Sequence, residues 1–314
     1  PIDAVGLGLL VLWVGSLQVM LDKGKDLDWF NSPMIVAFAV AAVVGFVLFI
    51  AWEITEEHPV VDLRLFKQRN FAFGTLALGL GFGAYFGSVV LLPLWLQQNM
   101  GYTATLAGLA LAPVGVLAIV ITPIVGRNIH RLDPRMLASI AFAVFAVVMF
   151  MRAGFTTQAD FWTILTPTII QGAGVACFFI PLVTITLAGL KPQQIPGASG
   201  LNNFVRITLG SFGTSISTTA WDHRATLHHA QLAEHITAFD PNGLQALHAM
   251  QSSGMTQEQS FGLMNHLISE QASLMSADDI FRASAWLFVA LIFVVWLTRP
   301  VNGKAAGAEA AGAH

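Results

Sequence analysis

Seven long runs of apolar residues constrain the fold of this chain more than any other feature of its sequence. They lie at residues 4–21, 33–52, 71–96, 105–125, 136–151, 161–190 and 280–298. Each approaches or exceeds the ~20 residues that a helix needs to cross a ~30 Å hydrocarbon core. Lipid offers no hydrogen-bond partners to backbone N–H and C=O groups, so a spanning segment must be a helix or part of a closed barrel. The runs are too long and too uniformly apolar for barrel strands. The sequence therefore predicts an all-helical integral membrane protein.

The composition supports this fold class and excludes others. Of the 314 residues, 55% are hydrophobic and only 11% are charged, against roughly 25% charged residues in a soluble domain. The net charge of −3 comes without a basic stripe, which argues against a nucleic-acid partner. A single cysteine, Cys177, excludes a disulfide within the chain and favours a packed thiol. Motifs of hydrolases, phosphate loops, metalloproteases and redox pairs are missing, so the sequence predicts neither an enzyme nor a cofactor.

For the segment 196–221, hydropathy does not decide whether the chain crosses the membrane. It is rich in side chains that form hydrogen bonds: Asn202, Asn203, Thr208, Ser211, Thr214, Ser215, Ser217, Thr218 and Thr219. It also carries Arg206, which is either buried and in need of an acceptor or an anchor at the end of a span. A helix this polar should not face lipid all round, so it should line a bundle interior or a water-filled path.

Lysine and arginine are distributed unequally between the two sides of an eight-span arrangement. One side holds Arg64, Lys67, Arg69, Arg127, Arg131, Arg135, Lys191, Arg299 and Lys304. The other side holds Lys23, Lys25, Arg152, Arg224 and Arg282, with Arg206 left out. The positive-inside tendency predicts that the first side and both ends of the chain are cytoplasmic. With seven spans this alternation would fail at the C-terminal end, which favours an eighth.

Residues 222–278 form a polar segment that this orientation places in a periplasm-like space. Pro241 starts one helical pattern that ends at Gly254, and Thr256 with Gln259 has the spacing of a capping box before a second. We therefore expect two or more short amphipathic helices here. The segment also contains six histidines: His223, His228, His229, His235, His248 and His266. Their spacing matches no metal-site motif, so solvated helix faces are the simpler interpretation and metal binding or pH sensing the alternative.

Small residues, prolines and a few polar groups inside the spans are typical of helical transporters. Gly79, Gly83 and Gly87 share one helix face and predict the close approach of another helix. Kinks are predicted at five prolines: Pro93, Pro113, Pro123, Pro167 and Pro181. No carboxylate lies at the centre of a span, although a proton-coupled carrier typically needs a titratable group there.

A series of motifs in the chain resembles one known family. In order, these are "PIDAVGLGLL", "VDLRLFKQRNF", "GYTATLAGLALAPVG", "QGAGVACFFIPLVTITLAGL" and "ASGLNNFVRITLGSFGTSISTTAW". They are similar to the fourteen-span drug:proton antiporters of the major facilitator superfamily. "HHAQLAEH" followed by "GMTQEQ" narrows the resemblance to the inner-membrane subunits of Gram-negative tripartite exporters. The resemblance extends from residue 1 to about residue 300.

The resemblance implies a domain organisation. Its segments would be two linking transmembrane helices (1–52), a cytoplasmic loop (53–70), the C-terminal six-helix half with the periplasmic segment 222–278 (71–299), and a disordered cytoplasmic tail (300–314). It also favours a transmembrane helix near 197–220. The chain, which begins at Pro1, would then be a fragment, and the coupling carboxylates would lie mostly in the absent N-terminal half.

The stretch "GRNIHRLDPR" resembles a degenerate copy of the loop motif that gates the inner face in this superfamily. Gly126, Arg131 and Arg135 match that motif in kind. His130 stands where aspartate is usual, and Asp133 stands where glycine is usual. The loop is therefore either a gating element or a simple anchor of positive charge.

The family resemblance also implies a function. Members export apolar, often aromatic or cationic drugs against proton influx by alternating access, in the bacterial inner membrane. The resemblance further implies a periplasmic adaptor protein and an outer-membrane channel as partners, and the proton gradient in place of a cofactor. Two other functions remain open: a carrier for a nutrient or metabolite, and a scaffold or sensor that uses the periplasmic segment.

Six residues are candidates for the wall of the central cavity: Gln171, Phe178, Phe179, Asn202, Asn203 and Arg206. Aromatic faces suit flat apolar or cationic ligands, and amide groups donate and accept hydrogen bonds without full charge. Gln171 lies near the middle of the run 161–190, where a polar group is costly unless it faces protein or water. For each of the six, helix packing is the alternative to ligand contact.

Overall fold

The computed structural model describes residues 3–24, 26–56, 62–129, 131–235 and 241–301. Most of these residues lie in ten α-helices: α1 (Ala4–Gly24), α2 (Pro33–Thr55), α3 (Arg69–Asn99), α4 (Ala104–Leu111), α5 (Val114–Asn128), α6 (Pro134–Arg152), α7 (Phe161–Leu187), α8 (Ile195–His235), α9 (Pro241–Ser252) and α10 (Gln257–Trp296). None of the described residues forms a strand. The prediction of an all-helical fold is confirmed, whereas the tail 302–314 lies outside the described residues.

Seven helical segments in the described part of the chain are long and apolar enough to cross a membrane. They are α1, α2, α3, α4 together with α5, α6, α7 and α10. Pro113 separates α4 from α5, because proline lacks the N–H that a continuous helix needs. Other prolines, such as Pro93 and Pro123, stay inside their helices. The predicted span 105–125 is therefore two helices rather than one.

Helix α8 occupies the segment that hydropathy left open, and its 41 residues form one helix. It packs against α3 along the predicted glycine face. An added Cβ on Gly83 would lie 2.5 Å from the carbonyl oxygen of Leu209, and one on Gly213 would collide with the backbone of Gly83. Glycine at both positions therefore permits the two backbones to touch. The prediction of a close helix contact at this face is confirmed.

In the polar segment 222–278, the structure differs from the prediction of two or more short helices. Helix α8 continues to His235 and α10 begins at Gln257, so α9 is the one short helix among the described residues of this segment. No glycine or proline interrupts residues 214–235 or 263–296, and polar composition alone does not end a helix. We call residues 222–235 and 257–278 the long hairpin. At the start of α10, Thr256 and Gln259 form the predicted capping box.

Side-chain hydrogen bonds hold the two helices of the long hairpin together. The Trp221 Nε1–H group donates to the carbonyl oxygen of Ser273 at 3.0 Å. The Ser276 hydroxyl donates to the carbonyl oxygen of Trp221 at 2.5 Å. Both bonds are at the base of the hairpin, where it leaves the apolar part of the bundle.

An aromatic core joins α6, α7 and α10. The rings of Phe142, Phe145, Phe178 and Phe288 have centroids 5.1 to 6.1 Å apart. At the end of the bundle where α3 begins, Asn70 exchanges hydrogen bonds with the backbone of Arg299, which follows α10. The core and these end contacts fix the helices against which the candidate site is built.

Candidate functional site

The structure divides the six predicted cavity residues between two places. Phe179, Asn202, Asn203 and Arg206 meet at a pocket of about 280 Å³, whereas Gln171 and Phe178 lie inside the bundle. We call this the Arg206 pocket. The residues that line it come from α3, α7 and α8: Leu78, Phe179, Val183, Ser199, Asn202, Asn203 and Arg206.

Arg206 is held at the pocket by two aromatic rings and one amide. Its guanidinium carbon lies 4.7 Å from the ring centroid of Phe82 and 5.5 Å from that of Phe179. Its Nη2 donates to Asn203 Oδ1 at 2.5 Å, across one turn of α8. A guanidinium has five N–H donors, so this arrangement leaves further donors for a ligand. Arg206 is half-buried, between the two positions that the sequence allowed.

The pocket contains a positive charge and, among the described residues, an unpaired hydrogen-bond acceptor. Among its described lining residues, Arg206 carries charge and no carboxylate is present. The Asn202 side chain is buried, and its Oδ1 atom has no hydrogen-bond partner among the described residues. The pocket therefore offers a cation, an unused buried acceptor and aromatic faces.

A second pocket, of about 500 Å³, lies between α1, α3 and α8. We call it the hydroxyl pocket, because its α8 wall consists largely of Ser211, Thr214, Ser215, Thr218 and Thr219. Helix α1 contributes Gln18 and Asp22, and the turn that follows it contributes Asp26. Phe82 lines this pocket and also stacks against Arg206, so the two pockets are neighbours along α8. The polar face of α8 thus lines a cavity.

Sequence reasoning missed a buried polar cluster in which Gln171 takes part. Arg152, which the charge count treated as a charge at the end of a span, is 0% exposed. Its Nη2 donates to Gln171 Oε1 at 2.7 Å and to Thr168 Oγ1 at 3.2 Å. Its Nε and Nη1 atoms have no hydrogen-bond partner within the described residues. We call Arg152, Thr168 and Gln171 the Arg152 cluster.

Gln171 itself was the sequence signal for this cluster, since a buried amide in an apolar run needs a partner. The structure supplies Arg152 as that partner, in place of the cavity that the sequence suggested. Gln171 therefore joins α7 to α6.

Phe178 also lies away from the pocket. It is 1% exposed and packs against Phe142 and Phe145 in the aromatic core. Successive helical residues point about 100° apart, so Phe179 reaches the pocket while Phe178 faces inward. Cys177 is buried, as expected of a packed thiol.

The predicted gating loop contains a salt bridge of its own. Asp133 caps α6 by accepting from the backbone N–H of Arg135, and its carboxylate lies 2.8 Å from Arg135 Nη2. The hydrogen bond from the Arg135 side chain lowers the pKa of Asp133. Arg135 also lies over the ring of Trp296 at 5.0 Å, which connects the start of α6 to the end of α10.

Gly126 and Arg131 form no such contacts with the residues that the structure describes. Gly126 has open space where a Cβ would lie, and Arg131 is exposed. His130 lies outside the described residues. A gating role for the loop stays a prediction.

Three of the histidines contact polar side chains in the long hairpin. His228 lies 2.9 Å from Asp279, His229 lies 3.0 Å from Asn265, and His266 lies 3.2 Å from Glu270. Among the residues that the structure describes, no three possible metal ligands lie together. These contacts hold the helices of the hairpin to each other or support one helix face.

Comparison with known proteins adds to this geometry. The family model described as Major Facilitator Superfamily matches residues 6–214. The multidrug export protein EmrB of Escherichia coli (strain K12) is 48% identical over 314 residues, which is 100% of this chain and 61% of that protein. The fatty acid resistance protein FarB of Neisseria gonorrhoeae is 43% identical over 300 residues, 96% of this chain and 59% of that protein.

One solved structure gives a similar fold. A bacterial homologue of the human lysosomal transporter Spinster, in an inward-facing and occupied conformation, aligns with a TM-score of 0.52 and 13% identity. The alignment covers 93% of this chain and 67% of that one, and it carries information on the fold alone. The chain spans about three fifths of the length of the curated relatives it matches.

Proposed function

This chain belongs to the major facilitator superfamily, and we propose that it is the C-terminal, drug-binding part of an EmrB-type multidrug exporter. Export would proceed by alternating access, driven by proton influx and without a cofactor. Similarity to EmrB over the whole chain supports multidrug export. In this proposal the chain acts as a transporter rather than an enzyme. It lies in the bacterial inner membrane with both of its ends in the cytoplasm, which is the orientation that the lysine and arginine count favours.

The Arg206 pocket is the observation that carries this proposal. It combines aromatic faces, an unused amide acceptor and a half-buried cation at the junction of three helices. Drug sites typically present such a mixture of an apolar wall and a few polar groups that fix orientation. The adjoining hydroxyl pocket adds hydroxyl groups of α8 and the carboxylates of Asp22 and Asp26, so the proposal for an anionic ligand concerns the Arg206 pocket alone.

The charge of the Arg206 pocket narrows the class of drug. A cationic ligand would meet the like charge of Arg206, and no carboxylate among the described lining residues would offset the repulsion. An uncharged or anionic aromatic compound would gain hydrogen bonds from the guanidinium. A carboxylate fits the printed name of the relative FarB, a fatty acid resistance protein. We therefore propose aromatic acids and neutral aromatics as ligands of this half, in preference to cations.

The proposed partners are a periplasmic adaptor of the EmrA type and an outer-membrane channel of the TolC type. The long hairpin is the proposed docking surface for the adaptor, because it extends the helices beyond the apolar part of the bundle. Deletion of residues 228–270 should abolish co-purification with the adaptor. Unchanged co-purification would reject this surface.

Dye efflux from proteoliposomes tests the transport proposal. The full-length transporter should expel an anionic aromatic dye faster when the imposed pH gradient drives protons in the opposite direction. A protonophore should remove that acceleration. Efflux that is indifferent to the gradient would reject proton coupling, and the absence of any efflux would reject export of this dye class.

A further inference from the structure

A third cavity, separate from both pockets, is an open groove of about 520 Å³ between α3, α8 and α10. Apolar residues make up most of its wall, among them Gly83, Leu209, Ile216, Ala220, Ala283 and Leu287. Among the described residues that line it, Arg224 and Asp279 carry charge, and both lie at the end next to the long hairpin. The groove is therefore apolar along its length and charged at one end.

The length of the groove matches one leaflet of a bilayer. On α8 the apolar wall runs from Leu209 to Ala220, a rise of about 16 Å at ~1.5 Å per residue. Half of the ~30 Å hydrocarbon core is about 15 Å. Arg224 follows one helical turn beyond Ala220, at the depth where lipid headgroups begin. Helix α10 runs antiparallel, with Asp279 at the charged end and Leu287 at the deep end.

The groove opens sideways rather than toward the end of the bundle. Ile216 at its rim is 61% exposed, and Ala283 across from it is also exposed. Acyl chains match the chemistry of an apolar rim in the spanning part of the bundle. The surrounding lipid is therefore the occupant whose chemistry matches both the position and the apolar wall.

The charged end has the polarity of a zwitterionic headgroup. Arg224 Nε lies 3.4 Å from Asp279 Oδ2, and the Arg224 side chain is 52% exposed. The His228 contact of 2.9 Å also uses Asp279 Oδ2, so Oδ1 can accept from another donor. A guanidinium suits a phosphate, and a neighbouring carboxylate oxygen suits an ammonium group.

We propose that this groove binds one phospholipid, from the leaflet next to the long hairpin. One acyl chain lies along the apolar wall, the phosphate accepts hydrogen bonds from Arg224, and an ethanolamine ammonium donates to Asp279. A glycerol headgroup would keep the phosphate contact and lose the ionic contact with Asp279. The site is a lipid site whether or not the chain exports drugs, so its test is independent of transport.

Native mass spectrometry of the full-length transporter in detergent tests the proposal. The probes are phosphatidylethanolamine and phosphatidylglycerol with the same acyl chains. We expect one retained phosphatidylethanolamine and weaker retention of phosphatidylglycerol. Equal retention of both lipids would overturn the assignment of the headgroup to Asp279.

Matched variants test the position. Ala283→Trp fills the groove and should abolish the retained lipid, whereas Ala143→Trp, at an exposed position on α6 away from the groove, should leave it. Arg224→Gln should weaken retention about tenfold, whereas Arg282→Gln removes an exposed charge at similar depth and should change little. Ala220→Trp serves if Ala283→Trp does not fold. Lipid retention by a folded, groove-filling variant equal to that of Ala143→Trp would overturn the site.

Discussion

Arg152 and Arg206 are both arginines within the helical bundle, yet their surroundings differ. Arg152 is 0% exposed and bonds to Gln171 and Thr168 of α7. Arg206 is half-buried, stacks on two aromatic rings and lines a pocket. The first joins two helices and the second presents a charge to a cavity. The difference shows that neighbours, rather than residue type, decide whether such a cation is fully buried between helices or lines a cavity.

The two cations are also stabilised in different ways. Arg152 is the last residue of α6, where the carbonyl ends of the helix favour positive charge, and two neutral oxygens add hydrogen bonds. Arg206 lies along α8 and relies on the negative faces of Phe82 and Phe179. A ligand can share the ring faces and the remaining N–H groups of Arg206. The Arg152 cluster has no such exposed group.

The largest expected effect follows removal of the buried cation. Arg152→Ala would leave a cavity the size of a long side chain and strand Gln171 Oε1 without its donor. We expect a loss of roughly 2–5 kcal/mol of stability, seen as a large fall in the thermal midpoint and in folded yield. Arg206→Ala is the matched control and should fold normally. Equal midpoints for the two variants would contradict the contrast between the arginines.

The next largest effect concerns the contact that holds α8 against α3. Gly83→Ala would place a Cβ against the carbonyl oxygen of Leu209 and force the helices apart. We expect a destabilisation of about 1–3 kcal/mol, measured as a lower thermal midpoint. Gly200→Ala, also in a helix but with open space around its Cβ, should be neutral or slightly stabilising. A midpoint for Gly83→Ala no lower than that of Gly200→Ala would disprove the close crossing.

Substitution at the pocket should change transport without changing folding. Arg206→Ala removes a cation–π stack of about 0.5–2 kcal/mol and the donors proposed for the ligand. We expect about tenfold slower efflux of an anionic aromatic dye from proteoliposomes, with a fall in the thermal midpoint much smaller than that of Arg152→Ala. Arg206→Lys keeps the charge without the flat stacking surface and should fall between the two. Wild-type efflux by Arg206→Ala would remove this residue from the proposed site.

The smallest effect lies at the half-buried ion pair before α6. Because the Arg135 side chain lowers the pKa of Asp133, the ion pair stabilises the fold above the ordinary carboxyl pKa of ~3.9, and this is lost as pH falls through the lowered value. Asp133→Asn keeps an N-cap and should cost less than about 1 kcal/mol near pH 6. The difference in thermal midpoint from wild type should shrink toward pH 3. A difference that grows on acidification would refute the ion pair.

Much of the helical framework could be predicted from the sequence because its signals are local. Apolar runs located seven spans, the glycines marked the α3 face that meets α8, and Thr256 with Gln259 marked the start of α10. The extensions of α8 and α10 were missed because polar residues do not end a helix. Glycine and proline do, and both are absent from residues 214–235 and 263–296.

The two arginine environments could be predicted only in part. Sequence reasoning proposed Asn202, Asn203 and Arg206 for a cavity because the polar α8 should not face lipid, and it proposed Phe179 because aromatic faces suit drugs. The structure brings these four to one pocket. The burial of Arg152 depends on how α7 folds back against α6, which no local pattern reveals. For the same reason Gln171 signalled a buried partner without identifying it.

Cysteine labelling tests most directly whether the Arg206 pocket is open and the Arg152 cluster is closed. Native Cys177 is buried and can be replaced by alanine in a full-length transporter freed of other cysteines. Asn203→Cys should then react with a water-soluble thiol reagent, and an anionic aromatic drug should slow this reaction. Thr168→Cys, at a position that is 0% exposed, should not react. Equal labelling at both positions, or labelling of Asn203→Cys that the drug does not slow, would contradict a ligand site at Arg206.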